Sequence, residues 1–276
     1  MLSLSFNDGW KYRHLNSAEE WVKVTLPHDA AMFEKRSADA EAGVNTGWFL
    51  GADYEYAKSF SVPAEYADKT IIFEFEGVYR NAEVYINGEL AVSRPYGYTN
   101  FYVTADKFLK YGAENEIRVI AKNSDQPNSR WYSGAGIYRP VTMHVGDKKR
   151  IVLNGVKVKT LSIFPAVIEV TVKTTGTGEV SVVIEKDGEE VASSSCEQKE
   201  GEAVFALEIP YAKLWSVETP ELYSCRAKYL NDEQIVSFGI RTLTCDHTNG
   251  LCINGERVIL RGACIHSDNG ILGARS

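Results

Sequence analysis

Residues 71–92 read IIFEFEGVYRNAEVYINGELAV and indicate the fold class. Ile71, Phe73 and Phe75 occupy every second position, and a glutamate follows each phenylalanine, which is the pattern of a strand with one buried face. Asn87-Gly88 then separates two apolar runs. This is a strong hairpin signal, because a type I′ turn needs two positive φ angles. Few stretches of the chain carry a helical period, so the sequence predicts an all-β protein.

The second half of the chain repeats these signals after the charged segment GDKKR at 146–150. In EAVFALEIP, at 202–210, the apolar residues Ala203, Phe205, Leu207 and Ile209 take alternate positions and face one way, while Glu202 and Glu208 face the other. Asp187-Gly188 supplies a second hairpin turn, and Asn254-Gly255 in LCINGERVIL, at 251–260, supplies a third. Strands of this length predict a seven-stranded, immunoglobulin-like sandwich. The Cys-Trp-Cys signature of antibody domains is absent from the sequence, so only the architecture is predicted.

The composition narrows the range of partners. The 276 residues carry 30 basic and 37 acidic side chains, and the formal net charge is -7. That balance argues against nucleic-acid and anionic-membrane partners. The first residues lack a charged segment followed by an apolar core, so no signal peptide is predicted and a cytoplasmic location is expected. Five cysteines without a CxxC or zinc spacing favour reduced thiols.

Several motifs, in this order along the chain, resemble those of glycoside hydrolase family 2. They are VTLPHDAAM at 24–32, FEGVYRNAEVYINGELA at 75–91, SRWYSGAGIYRPV at 129–141, FGIRT at 238–242, and INGERVILRG at 253–262 followed by the His-x-Asp cluster of RGACIHSDNG. The family contains β-galactosidases, β-glucuronidases and β-mannosidases. The similarity covers the whole chain, whereas a chance motif match would be local.

The resemblance implies three domains. Residues 1–147 would form a jelly-roll sugar-binding domain, 148–241 an immunoglobulin-like β-sandwich, and 242–276 the start of a (β/α)₈ catalytic barrel. A barrel of this kind needs roughly 250 residues, so we expect it to be truncated here. The family's acid/base and nucleophile glutamates would then lie beyond Ser276. The chain itself is expected to be inactive, with no catalytic residue of its own.

The resemblance also suggests residues that bind substrate. His266 follows the first barrel strand and matches a family position that reaches a sugar hydroxyl. The alternative is a histidine whose hydrogen bonds are satisfied within a turn. Asp268 could accept two hydroxyl hydrogen bonds or cap a turn. Arg130 and Trp131 offer a cation and an aromatic face, although the aromatic side chain could instead seal a domain contact. Asn45, in a glycine-rich loop, is the fifth candidate.

No metal or other cofactor is expected, because Arg130 stands where some family members carry an aspartate that serves a metal ion. RGACIHSDNG resembles β-galactosidases more than β-glucuronidases, so a terminal β-galactoside or related β-glycoside is the expected carbohydrate partner. The missing barrel is the other expected partner. Two alternatives stay open: a free-standing carbohydrate-binding module, and a sandwich scaffold that mediates homo-oligomer contacts. No nucleic-acid or membrane partner is expected.

Overall fold

The computed structural model describes residues 1–264, 266 and 270–275. Within these residues the protein is all-β, and its strands are joined by turns and short 3-10 helices. The chain divides into two units. The first unit comprises Leu2–Gly146 together with Cys264–Ser276, and the second comprises Asp147–Ala263 with Met1. The expected all-β class is therefore confirmed, whereas the three predicted domain boundaries stay predictions.

Two antiparallel sheets form the first unit. Its strands are β1 (Leu2–Ser5), β2 (Trp10–His14), β3 (Val22–Val24), β4 (Asp53–Val62), β5 (Lys69–Phe75), β6 (Ala82–Ile86), β7 (Glu89–Arg94), β8 (Phe101–Thr104), β9 (Ala113–Lys122) and β10 (Val141–Asp147). One sheet has the order β3-β2-β4-β9-β6-β7, and the other has the order β1-β10-β5-β8. Ten register pairs, from Asp53↔Lys122 to Val62↔Ala113, join β4 to β9 at the centre of the larger sheet.

One apolar core lies between these sheets. Ile71, Phe73 and Phe75 of β5 are fully buried, as their alternate spacing predicts. They belong to the same cluster as Tyr56 of β4 and Ile117 of β9, which come from the other sheet. Burial of an aromatic or branched side chain contributes about 1.5–3 kcal/mol, so this core holds the scaffold on which the loops are mounted.

The second unit has its own core. Its strands are β11 (Ile151–Ile163), β12 (Ala166–Thr174), β13 (Gly178–Lys186), β14 (Glu189–Gln198), β15 (Glu202–Glu208), β16 (Tyr223–Tyr229), β17 (Asp232–Phe238), β18 (Leu243–Asp246), β19 (Gly250–Ile253) and β20 (Glu256–Arg257). The sheets are β11-β12-β15, β14-β13-β16-β17 and β18-β19-β20. Ala203, Phe205, Leu207 and Ile209 are buried, which confirms the predicted face of this segment.

The three dipeptide turns adopt the predicted backbone. The φ angles are 50° and 87° at Asn87-Gly88, 54° and 87° at Asp187-Gly188, and 52° and 84° at Asn254-Gly255. Each dipeptide joins two antiparallel neighbours, namely β6-β7, β13-β14 and β19-β20. The sequence signal was sufficient here because the turn geometry depends on only two residues.

Two short 3-10 helices in the first unit, Ala30–Phe33 and Gly43–Thr46, lie in the long connection between β3 and β4. This connection carries one wall of the site described below. All five cysteines are free. In the described part of the chain, no helix is long and apolar enough to cross a membrane.

Candidate functional site

A buried carboxylate in the first unit joins three separate segments. Asp29 ends the LPHD motif and caps the 3-10 helix Ala30–Phe33, where its Oδ1 accepts from the backbone N–H of Ala31 at 3.1 Å. The same oxygen accepts from the N–H of Ala135 at 2.9 Å. Its Oδ2 accepts from the hydroxyl of Tyr132 at 2.6 Å and from the N–H of Ala274 at 2.7 Å. Four donors therefore converge on one side chain.

Burial and hydrogen bonding have opposite effects on the pKa of this carboxylate. Burial raises the pKa of Asp29, while the bonds from Tyr132, Ala274, Ala135 and Ala31 act to lower it. The phenol is affected too, because burial and then the negative charge of Asp29 raise the pKa of Tyr132. Tyr132 is thus held as a neutral hydroxyl donor, and its ring forms part of the cavity beside it.

The cavity has a volume of about 440 Å³, which is within the range of small-molecule sites. Three parts of the first unit supply its walls: the β3–β4 connection, the segment 130–132, and His266 and Gly270 near the end of the chain. The described residues that line it are Met32, Arg36, Val44, Asn45, Gly47, Phe49, Arg130, Trp131, Tyr132, His266 and Gly270.

Four of the five predicted binding residues meet in this cavity. Asn45, Arg130, Trp131 and His266 all line it, although they come from three distant parts of the sequence. The fifth, Asp268, lies outside the described residues. These positions make a shared binding role geometrically feasible, and that role stays a prediction.

The Trp131 ring is fixed at the edge of the cavity. Its Nε1 donates to the hydroxyl of Tyr98 at 2.9 Å, and the hydroxyl of Ser129 donates to its backbone oxygen at 2.6 Å. The imidazole of His266 lies 5.3 Å from the indole, centroid to centroid, with a 38° angle between the planes. The tryptophan is 38% exposed, so a ligand can still reach the ring. An aromatic face and an imidazole are thus presented together.

Met32, Arg36 and Phe49 are among the wall residues that sequence reasoning missed. The guanidinium of Arg36 lies 5.0 Å from the centre of the Phe49 ring, and the two residues form an isolated antiparallel bridge. Their spacing of 13 positions in an irregular connection gives no periodic signal. A basic residue and an aromatic residue flanking a glycine-rich loop would have been the available clue.

The walls are cationic and hydrogen-bonding rather than acidic. Arg36 and Arg130 both line the cavity, and no described residue lining it carries a carboxyl group. Among the described residues, no group of three or more His, Cys, Asp and Glu side chains could hold a metal ion. Aromatic faces, guanidinium groups and an amide are suited to a ligand rich in hydroxyl groups, because hydroxyl oxygens accept from such donors.

Two family models match the chain in succession. Residues 10–158 match a glycosyl hydrolase 2 galactose-binding domain-like model, and residues 154–241 match the model of glycosyl hydrolases family 2. The first match covers more than half of the chain and includes most of the cavity walls. The protein belongs to glycosyl hydrolase family 2.

Individual relatives agree with this assignment. The β-galactosidase BoGH2A of Bacteroides ovatus is 34% identical over 98% of this chain and 35% of its own length. A β-glucuronidase of Bacteroides fragilis is 27% identical over 97% of this chain and 42% of its own length. The crystal structure of a family 2 member from Bacteroides cellulosilyticus gives a TM-score of 0.90 at 30% identity, over 100% of this chain and 40% of that one. The chain spans less than half the length of each.

Proposed function

We propose that this chain is the non-catalytic, carbohydrate-contacting part of a retaining exo-glycosidase that acts on terminal β-galactosides. The observation that carries this proposal is the meeting of Asn45, Arg130, Trp131 and His266 in one cavity of about 440 Å³. This cavity lies in the unit that resembles galactose-binding domains.

The chemistry of the walls is suited to a pyranose. One face of a sugar ring carries C–H groups that pack on an aromatic ring, and Trp131 offers such a ring. The hydroxyl groups at the ring edge can accept hydrogen bonds from the guanidinium of Arg130. With His266 and Asn45 they can act either as donors or as acceptors. The cavity therefore provides both an apolar platform and polar groups around it.

The absence of acidic wall residues supports a non-catalytic role. Retaining glycosidases need two carboxyl groups about 5–5.5 Å apart. The described residues that line the cavity include none. Asp29, which lies behind the wall, already accepts four hydrogen bonds and is 1% exposed. Bond cleavage would accordingly depend on the glutamates of the catalytic barrel.

We further propose the finer architecture that the family resemblance implies: a jelly roll for 1–147, an immunoglobulin-like sandwich for 148–241, and the first barrel segment for 242–276. The two-sheet core of the first unit supports the jelly roll. The three- and four-stranded sheets formed by β11–β17 support the immunoglobulin-like sandwich. The catalytic barrel would be the chain's principal protein partner.

A specific observation favours a second substrate class, the β-glucuronides. Arg36 and Arg130 place two guanidinium groups at the cavity, and the described lining residues offer no carboxylate to neutralise them. A sugar carboxylate would pair with guanidinium more strongly than a neutral hydroxyl would. Relatives bearing both names occur among the matched proteins.

One titration tests these proposals. The chain, labelled with ¹⁵N, is titrated with methyl β-galactoside and, separately, with methyl β-glucuronide, and the indole N–H signal of Trp131 is followed by NMR. We expect methyl β-galactoside to shift this signal, and His266→Ala to weaken binding about 2- to 10-fold, because one hydrogen bond is lost. The exposed His247 serves as the matched control, through His247→Ala.

Tighter binding of the glucuronide would favour the second substrate class. If neither sugar moves the Trp131 signal, the cavity is not a carbohydrate site and the proposal is wrong. If His266→Ala and His247→Ala bind the galactoside equally well, His266 is a turn residue with no part in binding.

A further inference from the structure

A second depression in the first unit adjoins the candidate cavity. It has a volume of about 300 Å³, and its walls are Tyr79, Arg80, Pro95, Tyr96, Gly97, Tyr98, Asn128, Ser129 and Trp131. Trp131 is a wall of both spaces. A third hollow of about 260 Å³ is lined by Tyr98, Trp131 and Tyr138, among others, and also reaches His266. We call the surface formed by Tyr96, Tyr98 and Trp131, with its flanking residues, the aromatic groove.

Three exposed rings follow one another along this groove. Tyr96, Tyr98 and Trp131 are 61%, 41% and 38% exposed. The Tyr96 and Tyr98 ring centroids are 5.6 Å apart, and those of Tyr98 and Trp131 are 6.5 Å apart. These steps are comparable with the length of one pyranose unit. Large aromatic side chains that lie exposed side by side usually mark a binding surface.

The segment that carries the two tyrosines is held in place. A Cβ at Gly97 would lie 2.5 Å from Cδ2 of Tyr79, so only glycine lets the backbone rest against that buried ring. The hydroxyl of Tyr138 donates to the oxygen of Gly97 at 2.8 Å. The N–H of Asn81 donates to the oxygen of Pro95 at 3.2 Å. The aromatic rings are therefore exposed by a fixed backbone rather than by a free loop.

Polar groups flank the rings. Arg80 lines the groove, and the carboxylate of Asp125 accepts from its Nη2 at 2.9 Å. The hydroxyl of Tyr98 accepts from Trp131 and also interacts with the side chain of Tyr79, so its position in the groove is set from two sides. A purely apolar protein-docking patch would not need these groups, whereas a chain of sugar units offers both C–H faces and hydroxyl groups to match them.

We propose that the aromatic groove binds the second and third units of a linear β-linked galacto-oligosaccharide whose terminal unit lies in the cavity. This inference rests on the proposed function and names its substrate class: short oligosaccharides rather than single glycosides. Trp131 packs on the terminal unit, Tyr98 packs on the second, and Tyr96 packs on the third. Arg80 donates to hydroxyl groups at the far end of the groove.

The test is a length series. The 276-residue chain is titrated by NMR with galactose, then with β-1,3- and β-1,4-linked galactobiose and galactotriose. With each added unit, we expect binding to tighten about fivefold in at least one linkage, because each new unit covers an aromatic ring. Tyr96→Ala should leave the affinity for galactose unchanged. The same variant should bind galactotriose no more tightly than it binds galactobiose. Tyr211→Ala, at an exposed tyrosine of the second unit, is the matched control.

The outcomes separate the two proposals. If galactose binds but length adds no affinity, the aromatic groove is wrong and the cavity stands. If no sugar of any length binds, both are wrong. If Tyr96→Ala leaves the triose affinity unchanged, the groove is also wrong. Sedimentation of the same variants measures self-association. If Tyr96→Ala abolishes self-association and leaves the affinity for the triose intact, the groove binds a second copy of the chain. That result would overturn the inference.

Discussion

The hydroxyl of Tyr132 donates a 2.6 Å hydrogen bond to the carboxylate of Asp29, 103 positions earlier in the chain. The same carboxylate oxygen accepts from the backbone of Ala274, 245 positions later in the chain than Asp29. Tyr132 also lines the cavity, and the tail that contains Ala274 brings His266 to the cavity. The buried side chain of Asp29 thus binds two of the three segments that form the candidate site, those of Tyr132 and Ala274. Asp29 itself lies at the start of the third segment, the β3–β4 connection.

Replacing this carboxylate should destabilise the first unit. In Asp29→Asn, the amide can accept through only one oxygen, so donors that now meet the second oxygen would face an NH₂ group. We expect a loss of about 3 kcal/mol in the free energy of unfolding, because bonds to a charged group are replaced by unpaired buried donors. Urea denaturation of Asp29→Asn and of the exposed control Asp68→Asn would measure it. Equal stability of the two variants would contradict the role of Asp29.

A methyl group next to this carboxylate should have a similar effect. Gly134 has a φ of +67°, and a Cβ there would lie 2.6 Å from the Cβ of Ala274 and 2.7 Å from Oδ2 of Asp29. Gly134→Ala should therefore lower the melting temperature by several degrees, because backbone strain at a positive φ and the close contacts of the new methyl group both destabilise the folded state. No atom of the described residues lies within 4 Å of a Cβ built at Gly262, so Gly262→Ala is the control and should melt like the wild type. An unchanged melting temperature for Gly134→Ala would show that the tail is not packed there.

The stability of the first unit should depend on pH through His28. Burial, followed by the positive charge of Arg275, lowers the pKa of His28 from its usual 6.5 to about 4. Between these values the unfolded chain binds a proton that the folded chain does not, so stability is lost as the pH falls from 6.5 to 4. At about 1.4 kcal/mol per pH unit, this loss approaches 3 kcal/mol.

Chemical denaturation at pH 7 and pH 4 checks this dependence. His28→Gln removes the titrating group, so the stability difference between wild type and variant should shrink at the lower pH. His247→Gln, at an exposed site, should leave the pH dependence of the wild type intact. Identical pH profiles for wild type and His28→Gln would mean that His28 is protonated as easily in the folded state as in the unfolded chain.

The chain on its own should not hydrolyse glycosides. The described cavity residues provide no carboxyl pair, so nitrophenyl β-galactoside, β-glucuronide and β-mannoside should release no more nitrophenol than buffer does. Release is measured by absorbance at high protein concentration. Turnover that co-purifies with the chain and disappears when one of its own carboxylates is replaced would contradict the non-catalytic assignment.

Local patterns predicted the scaffold well. The buried face of 71–75, the buried face of 203–209 and the three dipeptide turns depend on neighbouring residues, and each has the expected form. The predicted domain boundaries depend on contacts far apart in sequence. Residues 243–257 form a sheet within the second unit, while the tail from Cys264 belongs to the first.

The site was predictable only in part. The family resemblance identified Asn45, Arg130, Trp131 and His266, which the structure brings to one cavity. Neither resemblance nor periodicity singled out Arg36, whose place in the wall comes from its bridge to Phe49. The four-donor role of Asp29 was also invisible, because its partners at 132, 135 and 274 are defined only by the folded chain.

The first unit is assembled from two stretches of chain, with nearly all of the second unit encoded between them. During synthesis, the hydrogen bond from the N–H of Ala274 to Oδ2 of Asp29 cannot form until Ala274 has left the ribosome, 245 residues after Asp29. At about 5–20 residues per second, that delay is on the order of 10 to 50 s. Over this interval the nascent chain holds an incomplete first unit while residues of the second unit emerge and can fold.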